Sequence, residues 1–247
     1  MSSTRRFRVE PGSLANEFAE FARDEAHHLR VMRLQTGTTV ELFDGEGNAA
    51  LGVLEDGDSG QVRVRVLDAV DASAESPVAV TLVQAVPVKL QRLDTTVRLC
   101  TELGVREIVP VVGARTQLPA GGMLVLGRRA DRWRRIAESA AKQCGRTVVP
   151  RIAPVAPLAE IEWAKLPTSR FLLQPTAVRS LAAALRSSQE TRCAIFVGPE
   201  GGWDAAERAC VREEGGGAVA LGPRVLRADS AGPTALALVQ AAWGDLG

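Results

Sequence analysis

Twice in its last quarter the chain repeats one pattern: a brief apolar run, a glycine-bearing loop, then a helical periodicity. The first copy runs from Cys193–Val197 into Gly198-Pro199-Glu200-Gly201-Gly202. The second runs from Ala218–Leu221 into Gly222-Pro223-Arg224-Val225-Leu226-Arg227-Ala228-Asp229-Ser230-Ala231-Gly232. Short apolar runs bounded by turn residues read as buried strands. Strands that alternate with helices imply a parallel sheet covered by helices. The alternation extends back to Pro77. Strands are expected over 78–86, 107–112, 170–174, 193–197 and 218–221, and helices over 91–103, 128–144, 179–187, 204–214 and 232–243. Asp204 and Glu207 have the spacing of a capping box, and Gly215–Gly217 end that helix. The last helix is small and apolar all round, so it is buried or lies in an interface.

The first part of the chain follows a different rule. Over 38–43, 49–54 and 61–67, β-branched and alternating residues read as strands, with Asp44–Asn48 and Asp56–Gly60 as the turns between them. A helix is expected over 22–34. The polar run Asp71–Pro77 reads as a linker. These features divide the chain into a small β-barrel over 1–72 and an α/β domain over 77–247.

Charge is split along the same line. Residues 1–76 carry 8 arginines and 14 acids, whereas residues 77–247 carry 22 basic and 15 acidic residues. Eight of the basic residues fall within 127–151. There Arg128, Arg129, Arg132, Arg135 and Lys142 spread over one expected helix, as a solvated face or as a track for RNA phosphates. Arg5, Arg6, Arg8, Arg30 and Arg33 form a local basic set on the otherwise acidic first domain. Tyrosine is absent and aromatics are 4% of the chain, so no broad aromatic platform for bases is expected. Cysteines 100, 144, 193 and 210 show no C-x-x-C pairing and sit in apolar or helical contexts, so buried free thiols are expected. His27 and His28 point to different faces and have no evident third ligand, so no metal is expected. Without a signal peptide or a long uncharged apolar run, the reading is cytoplasmic, with no membrane.

In an open α/β sheet, ligands bind outside the carboxyl ends of the strands. Both glycine loops sit at such ends, and a structural connection there would need only two to six residues. The second loop instead crowds Arg224, Arg227, Asp229 and Ser230 into seven residues. A nucleotide-phosphate loop is disfavoured: no G-x-x-x-x-G-K-[ST] occurs, and Glu200 stands where phosphate needs a cation or open amides.

The two loops, with Trp203 and Glu207 after the first, resemble the RsmE family, whose pattern is roughly G-P-E-G-G-hydrophobic-x-x-x-E followed by L-G-x-R-I-L-R-x-E-T-A. Thr101-Glu102-Leu103-Gly104-Val105, Arg132-Trp133, Gln143-Cys144-Gly145-Arg146, Arg6-Phe7 and His28–Arg33 extend the resemblance over nearly the whole chain. Asp229-Ser230 depart from the family's Glu-Thr, keeping carboxylate and hydroxyl but shortening one arm.

The resemblance implies an α/β protein with an N-terminal PUA-like RNA-binding barrel. Its second domain would be a C-terminal SPOUT parallel-sheet domain closed by a trefoil knot. It implies S-adenosylmethionine-dependent methylation of uracil N3 in 16S ribosomal RNA, within the small subunit, by a homodimer. The cofactor is then expected on Leu172, Leu173 and Gln174, on Gly198, Pro199, Glu200, Gly201 and Gly202, and on Leu221, Gly222, Leu226 and Arg227. Arg227 and Arg224 are candidates to stabilise a uridylate-like charge. Glu200 and Asp229 are candidate bases or loop braces, and Ser230 a helix cap or a substrate contact. Arg6, Arg30, Arg33, Arg128, Arg129, Arg132, Arg135, Lys142 and Arg146 are candidate RNA contacts. Two other classes remain open: a related enzyme acting on ribose 2′-oxygen or a transfer-RNA base, and a non-catalytic RNA-binding protein.

Overall fold

The computed structural model describes residues 4–22, 25, 29, 32, 34–57, 62–71, 74–118 and 121–247. Most of the helix expected over 22–34, with His27, His28, Arg30 and Arg33, lies outside them. The contacts separate two compact units. One comprises residues 1–75 with 141–149, the other 76–140 with 150–247. The linear reading had assigned 141–149 to the second domain.

The first unit is a five-stranded sheet built from β1 (Arg6–Arg8), β2 (Phe18–Ala19), β3 (Thr39–Phe43), β4 (Ala49–Asp56) and β5 (Val62–Ala69), in the order β1-β3-β4-β5-β2. A bridge between Val9 and Phe21 joins the two edge strands and closes the sheet on itself. Closure leaves no free edge to pair with other chains. Phe7, Val40, Leu42, Leu54 and Val64 fill its interior. Buried Asp44 shapes the β3–β4 turn by accepting bonds from the main-chain N–H groups of Glu46, Gly47 and Asn48 at 2.8, 3.2 and 3.1 Å.

The second unit is a parallel sheet. Its strands are β6 (Ala79–Ala85), β7 (Val105–Val112), β8 (Arg151–Ile152), β9 (Ala156–Pro157), β10 (Arg170–Leu173), β11 (Arg192–Val197) and β12 (Gly217–Val219). The spatial order is β12-β10-β11-β6-β7-β8, with β9 also on β7. Its helices are α1 (Leu90–Glu102), α2 (Gly122–Cys144, whose residues from 141 on belong to the first unit), α3 (Leu181–Arg186), α4 (Ala205–Glu213) and α5 (Ala228–Trp243).

Pro110 sits inside β7 without cost. Its missing N–H would face the side where β8 pairs with Glu107 and Ile108 and β9 with Val111 and Val112, and it falls in the gap between them. On one face of β6, Leu82 and Gln84 approach Gly232 of α5; a Cβ there would lie 3.2 Å from Gln84 Oε1 and 3.3 Å from Leu82. On the other face, Val83 and Ala85 join Phe196, Trp203 and Val211 in the core. The apolar character of α5 is therefore spent largely within its own unit, where Ala235, Leu236 and Val239 are fully buried.

Asp94 of α1 joins the two long helices. It accepts from Trp133 Nε1 at 3.0 Å and from Arg132 Nε at 2.9 Å. Trp133 is fully buried.

Cys100 and Cys193 are buried free thiols, as expected, whereas Cys144 and Cys210 are only half-buried. Burial pushes the Cys193 thiol up to about 12, with the Glu190 charge adding to the shift. Burial raises Cys100 as well. Both should resist Ellman's reagent in the native protein at pH 8 and react on denaturation. The folded state holds these thiols protonated, so their stabilising effect is complete below the ordinary thiol value of about 8.5. It is lost as pH rises from there through the raised folded values. The melting temperature should therefore fall on the alkaline side, and less steeply in Cys193→Ala. An unchanged alkaline limb in that variant would contradict the assignment.

Candidate functional site

The carboxyl ends of three adjacent strands, β12, β10 and β11, open onto one cavity of about 440 Å³. Each strand end contributes a wall. Leu173 ends β10 and Gln174, Pro175 and Thr176 follow it; Val197 ends β11 and Gly198 to Glu200 with Gly202 and Trp203 follow it; Leu221, Gly222 and Arg224 to Ala228 follow β12. Arg115, Arg208, Val219 and Ala231 complete the lining. Three parallel strands ending side by side put three connecting loops at one place.

Most of the expected cofactor residues meet here. Leu173, Gln174, Gly198, Pro199, Glu200, Gly202, Leu221, Gly222, Leu226 and Arg227 all line the cavity. Leu172 and Gly201 do not. Successive strand side chains point to opposite faces, so Leu172 turns into the core beside Phe196 and Trp203 while Leu173 reaches the cavity. Gly201 carries the stem of Arg115 instead: a Cβ on it would sit 3.2 Å from that of Arg115.

The glycines do two different jobs. At Gly198 a Cβ would meet the Trp203 indole at 3.2, 3.3 and 3.4 Å, so its bareness makes room for a neighbouring ring rather than for a ligand. Gly202 and Gly222 have φ of +68° and +132°, where side chains are strained, and nothing lies within 4 Å of either Cβ position. These two leave open main chain in front of the cavity. The Trp203 indole N–H is buried without a partner beside Gly198.

The four candidate catalytic residues are placed differently from one another. Glu200 accepts from Arg92 Nη1 at 2.8 Å and from the Val88 main-chain N–H at 3.3 Å, tying the loop after β11 to the one after β6. Arg227 is the residue before the first turn of α5, 64% exposed, and bonds Asp229 at 2.9 Å. Asp229 lies in that first turn, where a carboxylate favours the helix dipole, and is not part of the cavity lining. Arg224 is exposed on the lining. The cap expected of Ser230 is not made. Helix α5 begins at Ala228 rather than 232, its N-cap is Arg227 without a side-chain cap, and the Ser230 hydroxyl points to Asp229.

Arg115, Arg208 and Trp203 line the cavity without having been expected there. Arg115 had a readable signal, because it too follows the carboxyl end of a β-like run. Glu207 holds it in place. One carboxylate oxygen closes the capping box by accepting from Asp204 N–H at 2.8 Å, and the other accepts from Ala114 N–H at 2.7 Å.

The basic candidates divide in two. Arg6, 11% exposed, donates to the carbonyls of Ala141, Lys142 and Arg146 and to Glu41, so it caps the last turn of α2. Arg146 bonds Glu75 at 2.8 Å, and Lys142 bonds Glu25 at 2.7 Å with the Phe7 ring 4.7 Å away. These three brace the first unit. Arg128, Arg132 and Arg135 are exposed on α2, and Arg129 is half-buried. Among the described residues, no group of three or more His, Cys, Asp or Glu could hold a metal, and no helix is long and apolar enough to cross a membrane.

Residues 74–240 match the RNA methyltransferase domain family, and residues 21–67 match the RNA methyltransferase PUA domain family. Ribosomal RNA small subunit methyltransferase E of Synechocystis sp. is 32% identical over 238 residues, covering 94% of this chain and 76% of that one. The chain belongs to the ribosomal RNA small subunit methyltransferase E family. The family member of Mycobacterium tuberculosis is also 32% identical, over 87% of this chain and 83% of its own length. The structure of ribosomal RNA small subunit methyltransferase E from Neisseria gonorrhoeae bound to S-adenosyl methionine aligns at a TM-score of 0.87. It is 29% identical and covers 99% of this chain and 100% of that one. A putative methyltransferase from Legionella pneumophila in complex with the same cofactor aligns at 0.83, with 28% identity and coverage of 98% and 99%. Within this family the chain keeps a PUA-like unit and a parallel-sheet methyltransferase unit, with its cavity at the carboxyl edge of the sheet.

Proposed function

We propose that the protein transfers a methyl group from S-adenosylmethionine to N3 of a uridine in 16S ribosomal RNA. The observation that carries this reading is the cavity formed by three adjacent strand-end loops in a chain of this family. Its walls fit such a cofactor: bare main chain at Gly202 and Gly222, apolar Val197, Leu221 and Leu226, and the unpartnered indole N–H of Trp203 close by. Leu173, Gln174, Gly198, Pro199, Gly202, Leu221, Gly222 and Leu226 would hold it. When bound, it supplies a methyl group activated by an adjacent sulfonium.

The chain's own task is to make uracil N3 a nucleophile. N3 carries a proton at neutral pH, and removing it leaves negative charge on the ring. Arg227 stands at the N-terminus of α5, so its guanidinium and the helix dipole both favour that charge. Arg224 adds a second exposed cation on the same wall. Glu200, bonded to Arg92 and the Val88 N–H, braces the loop, and Asp229, bonded to Arg227 and the Ser230 hydroxyl in the first turn of α5, is the carboxylate beside that cation to take the proton. Alignment and exclusion of water supply the remainder.

Four further parts belong to this proposal. The first unit, 1–75 with 141–149, acts as a PUA-like domain and the second, 76–140 with 150–247, as a SPOUT methyltransferase domain. The path from edge strand β12 back to α5, which packs on the central strands β6 and β11, supports a trefoil knot. The enzyme is a cytoplasmic homodimer, to which exposed Leu118, Met123 and Leu124 offer apolar surface. It meets its RNA in the assembled small subunit through Arg128, Arg129, Arg132 and Arg135.

Isothermal titration with S-adenosylmethionine, followed by transfer of labelled methyl to small-subunit RNA and to assembled small-subunit particles from cells lacking the gene, tests the reading. Saturable one-site binding and transfer to N3 of a uridine are expected. Binding without transfer to any RNA would contradict the activity.

A further inference from the structure

Resting on the methyltransferase reading, we propose that Arg115 and Arg208 form a subsite for a backbone phosphate beside the target nucleotide. Both arginines line the cavity, and both guanidiniums are held by neutral acceptors of a single loop. Arg115 Nη1 donates to the Gly201 carbonyl at 2.9 Å, and Arg208 Nη1 donates to the Trp203 carbonyl. Among the described residues, neither has a carboxylate within 4 Å, in contrast to Arg227, which faces Asp229. A carbonyl fixes a guanidinium without cancelling its charge, so the remaining N–H groups stay available for an anion. Such a planar fork suits phosphate oxygens.

The mounting is rigid. Glu207 ties Ala114 to the start of α4, leaving no room for a side chain on Gly113, where a Cβ would lie 2.5 Å from Glu207 Oε1. Arg115 is thereby fixed from the β7 side and lies on Gly201 from the other. S-adenosylmethionine offers one carboxylate beside a cationic ammonium and sulfonium, whereas every RNA nucleotide brings a phosphate monoanion. The uridine is thus positioned by its backbone on one wall while Arg227 faces its base from another.

The experiment measures methyl transfer to small-subunit particles from cells lacking the gene, with S-adenosylhomocysteine affinity by calorimetry in parallel. Arg115→Ala should raise KM for the RNA tenfold or more, with kcat and the S-adenosylhomocysteine Kd within about twofold of the unsubstituted protein. The slope of log KM against log salt should fall by about 0.7, the share of one single-strand phosphate contact. Arg115→Lys should restore most of that slope. A weaker S-adenosylhomocysteine Kd with unchanged RNA KM would assign the guanidinium to the cofactor and overturn the proposal, as would no change in either. If Arg115→Ala loses both, Arg208→Ala decides, since its anchor is Trp203 and not Gly201; an unchanged RNA KM there also overturns it. Failure of the methyltransferase reading is separate, because the unsubstituted protein would then bind no S-adenosylmethionine.

Discussion

Arg227→Ala is expected to lower kcat for methyl transfer by about 10²–10³-fold, the usual loss when one donor to a developing anion is removed. Cofactor affinity should stay within a few-fold, because the residues assigned to the cofactor, Gln174 apart, carry apolar side chains or none. The structure sharpens this expectation. Arg227 is 64% exposed and bonded to Asp229, so it contributes little to folding. A drop in kcat with normal melting therefore isolates its role at the reacting base. Asp229→Asn offers a second arm: it frees the guanidinium but removes the proposed proton acceptor. Its rate should fall at neutral pH and recover partly as pH rises and uracil ionises without help. Loss of cofactor binding together with activity in Arg227→Ala would argue against the assignment.

Trp133→Ala should destabilise the second unit by about 3–5 kcal/mol, read from denaturant unfolding. The side chain is fully buried, and its indole N–H satisfies Asp94 at 3.0 Å. Truncation leaves a large cavity between α1 and α2 and removes a donor from a carboxylate whose side chain is 12% exposed. Trp133→Phe, which keeps most of the volume but not the N–H, should cost about 1–3 kcal/mol. If the two variants lost the same amount, packing would not be the larger part.

The parallel sheet was legible because strands buried on both faces read as continuous apolar runs. Cys193–Val197 and Phe171–Leu173 are such runs, and their ends are within a residue or two of the observed ones. The strands β1 and β2 were not legible. They have three and two residues, too few for a period, and exist because distant partners complete them. The start of α5 was missed because Arg-Ala-Asp-Ser reads as a polar loop, yet Arg227 is the N-cap and Ala228 to Ser230 open the first turn, with Asp229 on the helix dipole.

Arginines showed the sharpest limit. Nothing in the letters separates Arg6, which caps carbonyls 135 to 140 positions away, from Arg128 on an open helix face. The glycines of the two loops differ in a way the letters do not show. Gly198 and Gly201 make room for Trp203 and Arg115, whereas Gly202 and Gly222 take a positive φ.

The central claim is methylation of a uridine N3 in small-subunit RNA. It is tested most directly by mass spectrometry of ribosomal RNA nucleosides from cells with and without the gene, with the position mapped by primer-extension arrest. The account predicts loss of one 3-methyluridine from 16S RNA, restored by the intact gene and not by an Arg227→Ala copy. An unchanged 3-methyluridine level, with another methylated nucleoside missing, would contradict it.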